Sequence, residues 1–175
     1  GNYVIVSDTW DNDGVTDVGA ATWADGGKGI SGAVSPSNSL IGATSGDSIG
    51  FTGIVPLRNG NYVVVSSGWG NGTSTGLGAV TWANGSQGLV GTVSPSNSLT
   101  GTTPGDQVGG VGGVAALTNG HYVVQSGNWD NDSVADVGAA TWANGDTGLI
   151  GTVSPSNSLI GLTAGDRVGS GGSMR

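Results

Sequence analysis

Val34-Ser35-Pro36-Ser37-Asn38-Ser39-Leu40 recurs unchanged as Val93-Ser94-Pro95-Ser96-Asn97-Ser98-Leu99 and as Val153-Ser154-Pro155-Ser156-Asn157-Ser158-Leu159. The copies stand 59 and 60 residues apart, and Tyr3/Tyr62/Tyr122 and Trp23/Trp82/Trp142 keep the same step. A fixed period of that size means one supersecondary unit copied in tandem, here as residues 1–60, 61–120 and 121–175 of one repeat domain. The heptad reads as a scaffold turn, because proline presets φ and the Ser and Asn side chains bond their own main chain.

Working outward from the heptad gives the unit. Val114 to Leu117, the turn Thr118-Asn119-Gly120 and His121 to Ser126 form a hairpin signature, repeated as Ile54 to Leu57, Arg58-Asn59-Gly60 and Asn61 to Ser66. After a polar loop, alternation puts Val137, Ala139, Thr141 and Ala143 on one face of a strand and Gly138, Ala140 and Trp142 on the other. Gly148 to Ser154 then reads as the fourth strand of an antiparallel meander, with Leu159-Ile160-Gly161 as a short fifth segment. The expected fold is therefore all-β: three four-stranded meanders, each a β-propeller blade. Three blades do not close a ring of roughly four to eight, so a homodimer or a longer repeat array is the expected assembly. A three-fold β-prism or barrel closed within one chain is the alternative. Gly1 stands where Gly60 and Gly120 end a turn, and Ser173-Met174-Arg175 stand where a further strand would begin, so the reading is of a piece of a longer repetitive protein.

Composition narrows the function. All 12 acidic residues are Asp, Lys and Arg total four, and the formal charge is -8. Helix surfaces use Glu, Lys and Arg freely, so their scarcity argues against helices, and the charge argues against nucleic acid. No apolar run is long enough for a membrane span, and the absence of cysteine excludes disulfides and thiolate metal sites. A catalytic constellation is also missing: there is no Glu or Cys, and one unrepeated His121, read as a surface substitution in a turn. The expectation is of a protein that is not an enzyme.

The loop between the second and third strands carries the cation reading. In the first unit it presents Thr9, Asp11, Asp13, the Val15 carbonyl and Asp17, and in the third Asn128, Asp130, Asp132, the Val134 carbonyl and Asp136. Oxygens at alternate positions of one tight turn are what Ca²⁺ takes. In the middle unit Gly68, Gly70, Gly72 and Gly76 replace all four side-chain donors together, which reads as a shared role lost at once. The spacing resembles the D-x-D-x-D-G-x-x-D calcium loops of FG-GAP repeats in integrin-type propellers.

The whole unit, with its N-Y-V-V, G-A-x-T-W, V-S-x-x-N-S-L and G-D-x-V-G stretches, resembles tandem repeats of large secreted bacterial proteins of the filamentous-haemagglutinin or adhesin type. That resemblance implies an extracellular or cell-surface setting and carries over no functional residue. The expected function is a non-enzymatic extracellular module for adhesion or structural spacing, stabilised by Ca²⁺ in the loops of units 1 and 3. A lectin is the alternative, with Trp10, Trp69 and Trp129 as a platform for glycan; a glycan or a surface protein would then be the partner. A designed or recombined propeller without ligand is the third reading. Trp23, Trp82 and Trp142 read as packing, and Asp47, Asp106 and Asp166 in Gly-Asp-x-(Ile/Val)-Gly as Asx-type turns.

Overall fold

Glycine-rich turns and short β-branched runs leave the chain few choices but strands, and the computed structural model, which describes residues 1–171, contains no helix among them. The expected strand start at Ser173-Met174-Arg175 lies outside the described residues. Unit 1 holds β1 (Tyr3–Ser7), β2 (Ala20–Ala24) and β3 (Leu40–Ile41). β4 (Gly53–Pro56) ends unit 1 and leads into unit 2, which holds β5 (Tyr62–Ser66), β6 (Ala79–Ala83), β7 (Gly91–Thr92) and β8 (Leu99–Thr100). β9 (Gly112–Ala116) leads in the same way into unit 3, with β10 (Tyr122–Ser126), β11 (Ala139–Ala143), β12 (Gly151–Thr152) and β13 (Ser158–Ile160).

The hairpins form where the turn residues stand. β4 pairs with β5 and β9 with β10, both antiparallel. At their tips Leu57 N–H donates to Asn61 O and Leu117 N–H to His121 O, each at 2.8 Å. The third strand pairs as expected, with Tyr62 opposite Ala83 and Tyr122 opposite Ala143.

The meander expectation needs one correction. The chain after the third strand does not fold back beside it. β12 instead crosses to the preceding unit and runs parallel to β8, Gly151 beside Leu99 and Thr152 beside Thr100, and β7 does the same to β3. The place beside the third strand goes to the segment expected as a short fifth element: β13 lies antiparallel to β11, and β8 to β6. The heptad is what permits this exchange. Asn97 Oδ1 accepts Ser94 N–H at 2.9 Å and Ser98 Oγ–H at 2.9 Å, while its Nδ2 donates to Thr92 O at 2.9 Å. One amide thus turns the chain from the neighbour's sheet back to its own, and the same bonds recur around Asn38 and Asn157.

Three sheets result, in the orders β1-β2-β3-β7, β12-β8-β6-β5-β4 and β13-β11-β10-β9, and none closes on itself. Strand alternation sends the two faces of the central sheet to different neighbours. Tyr62 and Val64 pack with Ala21 and Leu40 of unit 1, whereas Val63 and Val65 pack with Tyr122, Val124 and Val137 of unit 3. The core therefore lies between units rather than inside them. This arrangement makes every residue of β5 buried, while β1 at the outer face is half-buried to exposed.

Tyr62 and Tyr122 are buried in these layers. Burial pushes both hydroxyls up to about 12 from 10.0, opposed by hydrogen bonds from the Leu89 and Leu149 backbones. An unfolded chain loses these protons near its ordinary value, so the stability they contribute is complete below that pH and drains as pH rises from 10.0 towards about 12. We expect the urea midpoint to fall across that window and the fall to flatten in the Tyr62→Phe/Tyr122→Phe double variant. An equally steep fall in the double variant would contradict the assignment.

Candidate functional site

The Asp loops fold by their own turn chemistry. Asn12 and Val15 exchange backbone hydrogen bonds at 3.0 and 2.9 Å, and Asn131 and Val134 at 3.1 and 3.0 Å. The Val15 and Val134 carbonyls expected to face a cation thus accept Asn12 and Asn131 N–H. Asp11 Oδ1 accepts Asp17 N–H at 2.8 Å, and Asp130 Oδ1 accepts Asp136 N–H at 2.7 Å, closing each loop. Asp13 and Asp132 lie at φ 47° and 52°, and Asp17 and Asp136 at 53°. Asp136 also pairs with Arg167 at 3.1 Å, and the Asn128 amide donates to Gln107 Oε1 at 3.1 Å. Thr9 is exposed at the loop's start.

The donor set expected for Ca²⁺ is not assembled: among the described residues no three acidic or histidine side chains form a group able to hold a metal. The buried side-chain polar atom left without a partner beside these loops is Trp129 Nε1, a donor, which suits an acceptor and not a cation. The left-handed backbone also accounts for two of the three Asp-to-Gly exchanges in the middle unit. Gly72 and Gly76 take φ 88° and 64° at the positions of Asp13/Asp132 and Asp17/Asp136. Asp and Gly are both residues that tolerate this region, so their interchange there follows from backbone sterics. Gly70 replaces Asp11/Asp130 because a Cβ there would collide with Ser74 O.

The Trp platform is corrected in the same way. Trp69 and Trp129 are each 3% exposed, so their rings anchor the loops and are closed to a sugar, while Trp10 is half-buried. A cleft of about 490 Å³ along the junction of units 1 and 2 contains Asp25 and Lys28 as its charged groups, and these pair with each other at 3.8 Å.

What the recurring side chains do assemble is a joint between units. Asp47 Oδ2 accepts Ala43 and Thr44 N–H, each at 2.8 Å, an Asx-type turn as expected from sequence. Its other oxygen reaches across the junction to accept Gly70 N–H at 3.0 Å. Asp106 repeats this with Thr102, Thr103 and, in the next unit, Asp130 N–H at 3.0 Å. Burial pushes the Asp106 carboxyl above the ordinary carboxylate range, against the N–H bonds of Thr103, Asp130 and Thr102; the Asp130 charge adds to the upward push.

Tryptophan supplies the second clasp. Trp23 Nε1–H donates to Gly85 O at 3.1 Å and Trp82 Nε1–H to Gly145 O at 2.8 Å, one unit onward in both cases. A Cβ on Gly88 or Gly148 would lie 2.6 or 2.7 Å from the Trp23 or Trp82 Cβ, so glycine is what lets the ring close over the next unit. Asn2 Nδ2–H and Asn61 Nδ2–H reach the same carbonyls at 2.8 and 2.9 Å. His121, expected as a surface substitution, replaces the asparagine as an acceptor. Its Nδ1 accepts Gly145 N–H at 3.1 Å, as Asn61 Oδ1 accepts Gly85 N–H at 3.1 Å. Sequence reading missed the hydroxyl pairs Thr22–Ser39 and Thr81–Ser98, which are buried, and Thr141–Ser158, which is part-buried, each 2.7 Å apart. Their signal was present, a Thr in the third strand and the last Ser of each heptad at a constant separation.

Among curated proteins no sequence matches this chain. A family described as a repeat of unknown function, DUF5650, matches three times in succession, at residues 1–51, 56–110 and 116–170. These matches cover most of the chain and carry the period of the joints just described, and the protein therefore belongs to the DUF5650 repeat family.

Proposed function

We propose that this protein is a non-enzymatic structural module whose units set a fixed spacing. The observation that carries the reading is where its recurring polar side chains are spent. Asp47 and Asp106, Trp23 and Trp82, Asn2 and Asn61 all bond the following unit or its edge, and the heptad asparagines bond their own turns. None of these groups is left to face a substrate. A unit that buries one face on each neighbour adds stability and length together, since each repeat interacts with its nearest neighbours alone.

The test is scattering from monodisperse three-unit and six-unit chains. For a spacer the maximum dimension should grow in proportion to unit number, to about twice for six units. Little growth would mean that the blades close into a propeller ring, and the spacer reading would fall.

A further inference from the structure

Asparagine is followed by glycine at five places, Asn59, Asn71, Asn84, Asn119 and Asn144. Such a pair can react with itself, because the glycine nitrogen stands one ring closure away from the side-chain Cγ and carries no Cβ to obstruct the approach. The reaction asks three things of its surroundings. The glycine N–H must be free to give up its proton, the Asn Oδ1 must be able to hold the negative charge of a tetrahedral intermediate, and water must reach the product ring.

The fold withholds the first condition from four of the pairs. Gly60 and Gly120 N–H donate to Leu57 and Leu117 O, each at 3.1 Å, inside the hairpin turns. Gly85 N–H is held by Asn61 Oδ1 and Gly145 N–H by His121 Nδ1, both at 3.1 Å, at the joints between units. Gly72 N–H, by contrast, has no hydrogen-bond partner among the described residues.

The same loop meets the other two conditions. Asn71 Oδ1 accepts Thr73 N–H at 3.1 Å, Thr73 Oγ1–H at 2.9 Å and Ser74 N–H at 2.9 Å, so three donors already surround the atom on which charge would develop. Asn59, Asn119 and Asn144 Oδ1 each accept a single backbone N–H, and Asn84 Oδ1 accepts two donors, both from Ser86. Asn71, Gly72 and Thr73 are exposed, and nothing lies within 4 Å of the Cβ position of Gly72. The outer units do not share this arrangement. Their equivalents Asn12 and Asn131 precede Asp13 and Asp132, whose side chains add bulk and negative charge beside the nitrogen that must lose a proton.

We propose that Asn71 is a site of self-modification, at which the middle unit's loop promotes its own deamidation. Gly72 N gives its proton to hydroxide or water and bonds to Asn71 Cγ, while Oδ1 takes the negative charge under the three donors. The Cγ–Nδ2 bond then breaks and ammonia leaves with a proton from water, so that a succinimide remains. Water opens the succinimide at either carbonyl, giving an aspartyl or an isoaspartyl linkage at position 71. No electrons are exchanged with any other group. The loop that alone among the three lacks an acidic residue thereby gains a negative charge. An isoaspartyl linkage also lengthens the backbone inside the turn that Asn71 N–H closes on Ser74 O at 3.1 Å. None of this depends on reading the joints as a spacer.

Peptide mapping by mass spectrometry, on native protein held at physiological temperature at neutral and mildly alkaline pH, tests the proposal. Asn71 should convert at least about fivefold faster than any of the other four, each of which must first give up a hydrogen bond at its glycine, and its rate should rise with pH. In urea that unfolds the chain the five sites should converge. Thr73→Val, which removes the hydroxyl donor and keeps both backbone donors, should slow Asn71 about fivefold in the folded protein and leave its rate in urea unchanged. Circular-dichroism melting checks that this variant folds. The proposal would be overturned by an Asn71 rate no greater than the others, by a preference for Asn71 that persists in urea, or by an unchanged folded-state rate in Thr73→Val.

Discussion

Replacing Gly78 with alanine is expected to cost about 3–5 kcal/mol of stability. Gly78 holds φ +76°, and a Cβ there would collide with Val108 N and lie 2.6 Å from Gln107 C and 2.8 Å from Val108 O. These are backbone atoms of the Gly-Asp-x-Val-Gly stretch, held by Val108 N–H to Leu77 O at 3.1 Å, and they cannot rotate aside as a side chain would. The collision and the left-handed strain act together. Gly72→Ala separates them, because Gly72 has φ +88° with nothing within 4 Å of its Cβ position. That variant should lose only the strain, about 1–2 kcal/mol. Urea denaturation followed by tryptophan fluorescence measures both, and equal losses would mean that the close approach at Gly78 is not what holds the unit.

The period, the hairpins and the face alternation were legible because each is written within a few adjacent residues. Arg58-Asn59-Gly60 fixes a turn wherever it stands, and the Val137/Ala139/Thr141/Ala143 face is apolar or neutral in every copy. The exchange of β7 and β12 to the preceding unit was not legible. A two-residue strand such as Gly151–Thr152 carries no periodicity, and nothing local says which sheet edge is nearer. Connectivity between repeats is a property of the stack, and the reading of one unit in isolation returned the simplest meander.

The Asp loops were ambiguous in sequence for a related reason. Asp at alternating positions is written identically for a cation and for a tight turn. Asp13 at φ 47° and Asp17 at 53° show residues chosen for left-handed backbone, with Gly72 and Gly76 as their equivalents. The middle unit therefore lost a turn chemistry and gained another, with its Asn71 Oδ1 accepting Thr73 and Ser74 N–H at 3.1 and 2.9 Å. Conversely, Asp47 and Asp106 were legible as local turns but not as clasps, since the partner stands 23 or 24 residues away in the next unit.

That difference makes the second large effect sharp. Asp106→Ala should destabilise the protein by about 3 kcal/mol, whereas Asp166→Ala should cost about 1 kcal/mol. Both carboxylates hold two N–H groups of their own turn, but Asp106 is fully buried and holds the Asp130 N–H besides, while Asp166 is exposed and can be replaced by water. The magnitude comes from stranded donors rather than from lost charge. Removing the carboxyl leaves three part-buried N–H groups without their carboxylate acceptor, each worth about 1 kcal/mol. Burial already raises the Asp106 pKa, so deleting its charge returns part of that cost and holds the total near the low end. The same sign follows from linkage: with the folded pKa raised, the group's contribution is complete below its ordinary 3.8 and is lost as pH rises through the folded value. Urea midpoints of the two variants at neutral pH decide the matter, and an Asp166→Ala loss equal to that of Asp106→Ala would show that the turn alone matters and that the units are not clasped through this side chain.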